Sequence, residues 1–334
     1  MADGLFNSTP YAALAPPLRD IAGVPVATAI VKATFAIGRD GRVRLHDEQA
    51  PIRPADVPRD PESPAGSLLY PTDLLPSKVG TDVILVGDAV SARPAVAMDV
   101  AVKVRDRTAA LHVHGPRVYF ASLGKVAVGP AAKADRVPIV YEKAYGGMTP
   151  DLQIVERRNP CGVGVARRPA DLDGKPAPQI EHPARPIVSA GEPSEPAGYG
   201  AIPPHWHPRG ERIGTLDAAW RKDRMPLLPV DADPRYFNCA HPSLLFEEAL
   251  SPGDEIAILG MTAEGVVRFA LPSFPVRVRA LFAGKPPAEA RPVIDTLLIE
   301  PEKGTFEISA RASFPIGRGR AMLREIRLDL HGTP

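Results

Sequence analysis

The sequence has little of what several protein classes require. Only two of its 334 residues are cysteines, Cys161 and Cys239, too few for a disulfide framework, which indicates a reducing compartment. Its 40 basic residues nearly balance its 39 acidic residues, so no global charge attracts nucleic acid or an anionic membrane. No stretch reaches the ~18 apolar residues of a transmembrane helix, and residues 1–20 lack the pattern of a signal peptide. We therefore expect a cytoplasmic protein that binds neither nucleic acid nor membranes.

Proline, by contrast, is abundant. The chain has 40 prolines and 28 glycines, and proline is excluded from helix interiors and central strands. Hydrophobic residues make up 44% of the chain, enough to bury a core. The composition predicts a mainly β protein with antiparallel sheets, arranged as a sandwich or an open barrel-like structure, and with little helix.

Strand patterns support this fold class. Residues 26–37 are rich in β-branched side chains, a turn follows at 38–41, and alternation resumes at 43–45, which predicts a hairpin. The only helical pattern covers residues 243–250. Further strands or hairpins are predicted at 82–90, 98–105 with 110–114, 254–260 with 266–271, 274–282, 295–300 and 305–311.

The chain divides by composition into four parts. Residues 1–24 form an N-terminal arm, and residues 25–158 and 243–334 form the two halves of a β scaffold. Between them, residues 159–242 are a long proline-rich excursion, with 15 prolines in residues 160–242. Because this segment also carries both tryptophans, we expect an ordered loop region that large side chains attach to the scaffold.

Histidines of the excursion suggest a second interpretation. His205 and His207 have the spacing of a ligand pair, as do His112 and His114, since alternate residues of a strand share a face. Cys239 and His241 could complete a site with His205 and His207, which would make the chain a hydrolase or a metal-dependent enzyme. No established motif supplies a third ligand with its supporting hydrogen bonds. We therefore expect no catalytic residue, no metal and no cofactor, and keep this enzyme as the alternative.

Aromatic and arginine residues recur in turn-rich segments. Such residues on rigid loops are enriched at protein–protein interfaces, but they could equally attach the excursion to the sheet. Trp220, with Leu216 four residues before it, fits a buried helical turn. The candidate partner-binding residues are Tyr141, Glu142, Tyr145, Trp206 and Arg209.

Several motifs, in one order along residues 25–300, resemble those of domain-of-unknown-function family 2169. They are K-x-T-F at 32–35, Y-P-T-D-L-L-P-S-K at 70–78 with T-D-V at 81–83, P-I-V-Y-E-K-A-Y-G-G at 138–147, N-P-C-G-V-G at 159–164, W-H-P-R at 206–209, G-T-L-D at 214–217 with Trp220, D-P-R-Y-F-N at 233–238 and G-D-E at 253–255.

The resemblance implies a function. Genes of this family typically lie beside type VI secretion genes, and the implied role is a non-catalytic adaptor or chaperone. Such a protein would bind a secreted effector, and possibly a spike or spike-tip protein, and help to load the effector onto the secretion spike.

Overall fold

The computed structural model describes residues 4–63, 66–122, 124–192, 194–316 and 323–331, and this part of the chain is mainly β. In chain order the first strands are β1 Leu5–Asn7, β2 Ala12–Leu14, β3 Pro17–Arg19, β4 Pro25–Ile37, β5 Val43–Leu45, β6 Val57–Pro58, β7 Leu68–Tyr70, β8 Thr81–Leu85, β9 Asp88–Ala95, β10 Ala97–Val104, β11 Arg107–His114, β12 Tyr119–Ser122 and β13 Lys125–Val128. They are followed by β14 Ala134–Pro138, β15 Tyr145–Gly146, β16 Val163–Gly164, β17 Ile180–Glu181, β18 Leu245–Phe246, β19 Glu255–Leu259, β20 Val266–Ala270, β21 Val276–Phe282, β22 Ala288–Ala290, β23 Val293–Glu300, β24 Thr305–Pro315 and β25 Leu323–Leu330.

Helical structure is short in these ranges. The one α-helix there, α1, spans Ala218–Asp223, and no helix in the described residues has the length and apolar character needed to cross a membrane. Single 3₁₀ turns occur at Tyr141–Lys143, Pro169–Leu172, Gly210–Ile213, Pro234–Phe237, Pro242–Leu244 and Pro301–Lys303.

An eight-stranded sheet organises the fold. Its strand order is β18-β8-β23-β24-β4-β2, with β3 and β5 also paired to β4. The longest strands, β4 and β24, pair antiparallel along eleven residues, from Val26 opposite Pro315 to Ala36 opposite Thr305. Alternation along these strands gives the sheet two different faces.

One face of the eight-stranded sheet is apolar. Phe35 and Phe306 stack on it, with ring centroids 5.3 Å apart. One half of this face packs against the five-stranded sheet β17-β11-β10-β19-β20, and the other half packs against the four-stranded sheet β1-β25-β21-β22. The core is therefore the interior of a sandwich in which two smaller sheets cover one large sheet.

Most sequence-predicted strands are confirmed. The hairpins β4–β5, β10–β11 and β19–β20 form as expected. The mainly β class with mostly antiparallel sheets is also confirmed.

Two local predictions are wrong. The apolar run 82–90 is not one strand: the chain leaves β8 in the eight-stranded sheet and enters β9, which pairs with β14. Residues 243–250 do not form a helix, because Leu245 and Phe246 pair with β8 instead. In both cases sheet pairing supplies backbone partners that a short local pattern does not reveal.

Candidate functional site

The second face of the eight-stranded sheet carries buried charges. Lys32 on β4 is fully buried, and its Nζ lies 2.8 Å from Oδ2 of Asp73 and 2.9 Å from Oε2 of Glu307. Arg53 donates two hydrogen bonds to Glu307, of 2.6 and 2.7 Å. Asp73 and Arg53 belong to the segment 46–80, which thus attaches to this face through ion pairs.

A second buried group continues the network. Lys78 donates to Asp82 on β8 and to Thr296 on β23, each at 2.8 Å. Arg311 on β24 pairs with Asp295. Four cations (Lys32, Arg53, Lys78 and Arg311) thus face four carboxylates (Asp73, Asp82, Asp295 and Glu307), so the buried charge is balanced.

Three carboxylates of this network, Asp73, Asp82 and Glu307, have lowered pKa values, which favour the ionised form. Burial alone would raise their pKa values, but Lys32 lowers the pKa of Asp73, and Lys78 lowers that of Asp82. Hydrogen bonds from Arg53 likewise lower the pKa of Glu307 against the effect of burial. The motifs at 32–35, 70–78 and 81–83 are thereby explained as structural.

Sequence reasoning missed this network. It recognised the motifs but did not pair their charges, although one signal was present. A lysine in the middle of the buried strand 26–37 needs an anionic partner.

Two further motifs fold against each other around Asn159. Its buried amide donates to the carbonyls of Tyr141 at 2.8 Å and Tyr145 at 2.9 Å. At Gly146 the backbone has φ of 155°, and a Cβ there would lie 2.2 Å from the Asn159 carbonyl oxygen. The glycine is therefore required by this close approach.

Three of the five candidate partner-binding residues are buried. Trp206 is fully buried and meets the Tyr141 ring edge-on at 5.6 Å. Arg209 is 5% exposed and donates to the carbonyls of Ile202 at 2.6 Å and Tyr236 at 3.1 Å. Tyr141, Trp206 and Arg209 attach the excursion to itself and to the scaffold, and their side chains are not exposed to a partner in this structure. Their part in partner binding stays a prediction.

The other two candidates are half-buried. Glu142 accepts a hydrogen bond of 2.6 Å from the Ser67 hydroxyl. Tyr145 lies on the short strand β15, which pairs with β16. Their part in partner binding stays a prediction.

Residues of the alternative metal site take separate contacts. His207 Nδ1 lies 2.6 Å from Glu211, His241 Nδ1 lies 2.8 Å from Ser243, and the Cys239 thiol lies 3.5 Å from Asp82. The ring of His205 lies near that of Trp206. Burial raises the pKa of the Cys239 thiol to about 12. Within the described ranges, no three His, Cys, Asp or Glu side chains form a group that could hold a metal ion.

An exposed groove lies on residues 214–231, around α1. It has a volume of about 600 Å³ and is lined by Trp220, Pro229 and Val230. Trp220 is half-buried, and its indole N–H donates to the Leu227 carbonyl at 2.8 Å, which fixes the ring. The side chain of Val230 is 84% exposed. The helical turn predicted at Trp220 forms, but the expectation that it is buried is wrong: α1 has no buried residue and Leu216 is exposed.

Charged side chains lie around the apolar lining of the groove. Asp217, Asp223 and Asp231 line the groove, against the single cation Arg224. Asp231 accepts hydrogen bonds from Thr215, which lower the pKa of its carboxyl. The groove therefore combines a fixed aromatic ring with an anionic rim, which suits a cationic side chain on an apolar segment.

Comparison with known proteins places the chain in a family. A family model described as "Uncharacterized protein conserved in bacteria (DUF2169)" matches residues 22–311. The chain belongs to this family. No curated protein and no solved structure matches it. The DUF2169 match covers the strands β4 to β23, the segment 46–80 and the excursion with its groove.

Proposed function

We propose that this DUF2169 protein is a cytoplasmic adaptor or chaperone that binds a type VI secretion effector and helps to load it onto the secretion spike. The sequence resemblance suggests this role, and the match over residues 22–311 supports the family on which it rests. The observation that carries the proposal is the exposed groove around Trp220.

Rigidity of the groove favours binding. Arg224 donates to the Leu228 carbonyl and to the Ile21 carbonyl of the N-terminal arm, and Leu227 packs against Gly23. A loop that is already ordered loses little conformational entropy when a partner docks. Large apolar side chains on such a loop are costly to leave in water, which favours a protein partner.

The occupant that fits is a segment of the effector with Lys or Arg beside apolar residues. Its cation would lie over the Trp220 ring and near the three carboxylates, and its apolar residues would cover Val230. Cation–π contacts contribute about 0.5–2 kcal/mol when partly desolvated.

Co-purification tests the proposal. The tagged protein is isolated from its native host, and type VI secretion effectors in the eluate are identified and quantified. We expect Val230→Asp to lower the recovered effector by tenfold or more, since a charge at the centre of an apolar contact costs well over ~1.4 kcal/mol.

Val96→Asp is the matched control. Val96 is also exposed, at 52%, but lies between β9 and β10, away from the groove. Melting temperatures of both variants equal to that of the wild type establish that the fold is intact. Failure of the wild type to retain any effector would refute the adaptor role, whereas equal retention by both variants would refute the groove as its site.

A further inference from the structure

A second cleft lies beside the tip of the β10–β11 hairpin. It has a volume of about 640 Å³ and is bounded by the hairpin turn, residues 242–248 and the two segments that carry Arg212 and Arg235. Its charged lining comprises four arginines (Arg105, Arg107, Arg212 and Arg235) and three carboxylates (Asp106, Glu247 and Glu248).

Two of these arginines are already neutralised. Arg105 donates two hydrogen bonds to the Asp254 carboxylate, of 2.9 and 2.8 Å. Arg235 pairs with Asp233, with 2.5 Å between Nη2 and Oδ2. Asp254 and Asp233 lie outside the lining of the cleft, whereas Glu248, which lies 3.6 Å from Arg105, belongs to it.

The other two arginines have no such partner. Arg107 donates to the Leu245 carbonyl at 2.6 Å, and its guanidinium lies 4.4 Å from the centre of the Phe246 ring. Arg212 has a hydrogen bond of 3.5 Å to the Arg235 carbonyl. In the described part of the chain neither guanidinium forms an ion pair. Burial and then the nearby Arg235 guanidinium lower the pKa of Arg212.

We propose that this cleft binds a phosphate group, held between Arg107 and Arg212. A guanidinium presents its donors in a planar fork that matches an oxyanion, and contacts to backbone carbonyls and to Phe246 already orient the two forks. Two guanidinium groups that form no ion pair in the described part of the chain match the dianion of a phosphate monoester better than a single carboxylate.

The acidic side chains limit the size of the ligand. Asp106, Glu247 and Glu248 are exposed, and the Glu248 side chain is 91% exposed. A polyanion such as nucleic acid would meet these carboxylates, whereas a single phosphate between the arginines avoids them. The ligand is therefore a small phosphomonoester or one phosphorylated side chain.

Calorimetric titration with inorganic phosphate at constant ionic strength tests the site. We expect saturable binding to the full chain, weakened tenfold or more by Arg212→Gln and by Arg107→Gln, and unchanged by Arg221→Gln. Arg221 is an exposed arginine of α1 outside the cleft. Melting temperatures are measured in parallel. If either Arg212→Gln or Arg107→Gln folds poorly, the other still tests the site.

Further titrations identify the source of the phosphate. Glycerol 3-phosphate and a phosphoserine peptide distinguish a small molecule from a modified protein, and tighter binding of either supports the site. Sodium acetate binding as well as phosphate would overturn the proposal, as would phosphate binding that neither variant weakens. The site is separate from the groove at Trp220, so its failure leaves the adaptor role untouched.

Discussion

At the scale of single residues, the chain uses charge where most sandwiches use apolar contacts. Lys32 and Glu307 lie on adjacent central strands, and Asp73 reaches them from the covering segment. Buried ion pairs add little net stability, but removing one partner leaves an uncompensated charge. The network therefore fixes where the segment 46–80 docks, more than how strongly it does so.

Lys32→Met tests this interpretation. We expect a loss of about 3–5 kcal/mol in the free energy of unfolding, because Asp73 and Glu307 would keep a buried excess negative charge. Urea denaturation measures it, with Arg42→Gln as control, since the Arg42 pair with Asp40 is exposed to solvent.

The double variant Lys32→Met with Glu307→Gln removes that excess charge. It should recover part of the lost stability. A double variant less stable than Lys32→Met would show that charge balance is not what the network provides.

At the scale of elements, the sequence predicted the strands whose apolar and polar residues alternate. The alternation in 98–105 and 110–114 predicted β10 and β11, because a strand with one buried face has an apolar residue at every second position. Pairing between distant segments, as of β8 with β18, left no such pattern. The same limit applies to single residues of the candidate site. Arginine is a residue type enriched at interfaces, but Arg209 is buried because it donates to the carbonyls of Ile202 and Tyr236, which its local sequence does not reveal.

Strand β17 shows how the excursion is anchored to the sheet. It pairs with β11, and the Glu181 carboxylate receives hydrogen bonds from His114, Arg117 and the Ile187 backbone, at 2.9, 2.7 and 3.0 Å. Burial would raise the pKa of Glu181, but these bonds lower it to about 2. The two imidazoles of His112 and His114 share a face here, as their spacing predicted, with ring centroids 4.6 Å apart.

Acid should therefore loosen this anchor. A carboxyl with a lowered folded-state pKa stabilises the fold above its unfolded pKa of about 4.5, and this contribution is lost as the pH falls through about 2. The Glu181→Gln variant lacks this pH-dependent contribution, because a glutamine amide does not titrate. The difference in unfolding free energy between wild type and Glu181→Gln should narrow from pH 5 to pH 2, and a constant difference would contradict the role given to Glu181.

At the scale of the whole molecule, the fold is a sandwich whose excursion is internally fixed by Asn159, Trp206 and Arg209. The motifs by which the sequence resembles the DUF2169 family serve mostly to build this scaffold. Among the features that the scaffold presents to solvent is the groove at Trp220, with its apolar lining and anionic rim. In the proposed function, this surface carries an effector to the secretion machinery.

Secretion of the effector tests this role of the protein. The effector is quantified in culture supernatant from a strain lacking this protein, complemented with wild type, Val230→Asp or Val96→Asp at equal expression. We predict that deletion abolishes secretion, that wild type and Val96→Asp restore it, and that Val230→Asp does not. Secretion that continues at the wild-type level after deletion would contradict the account.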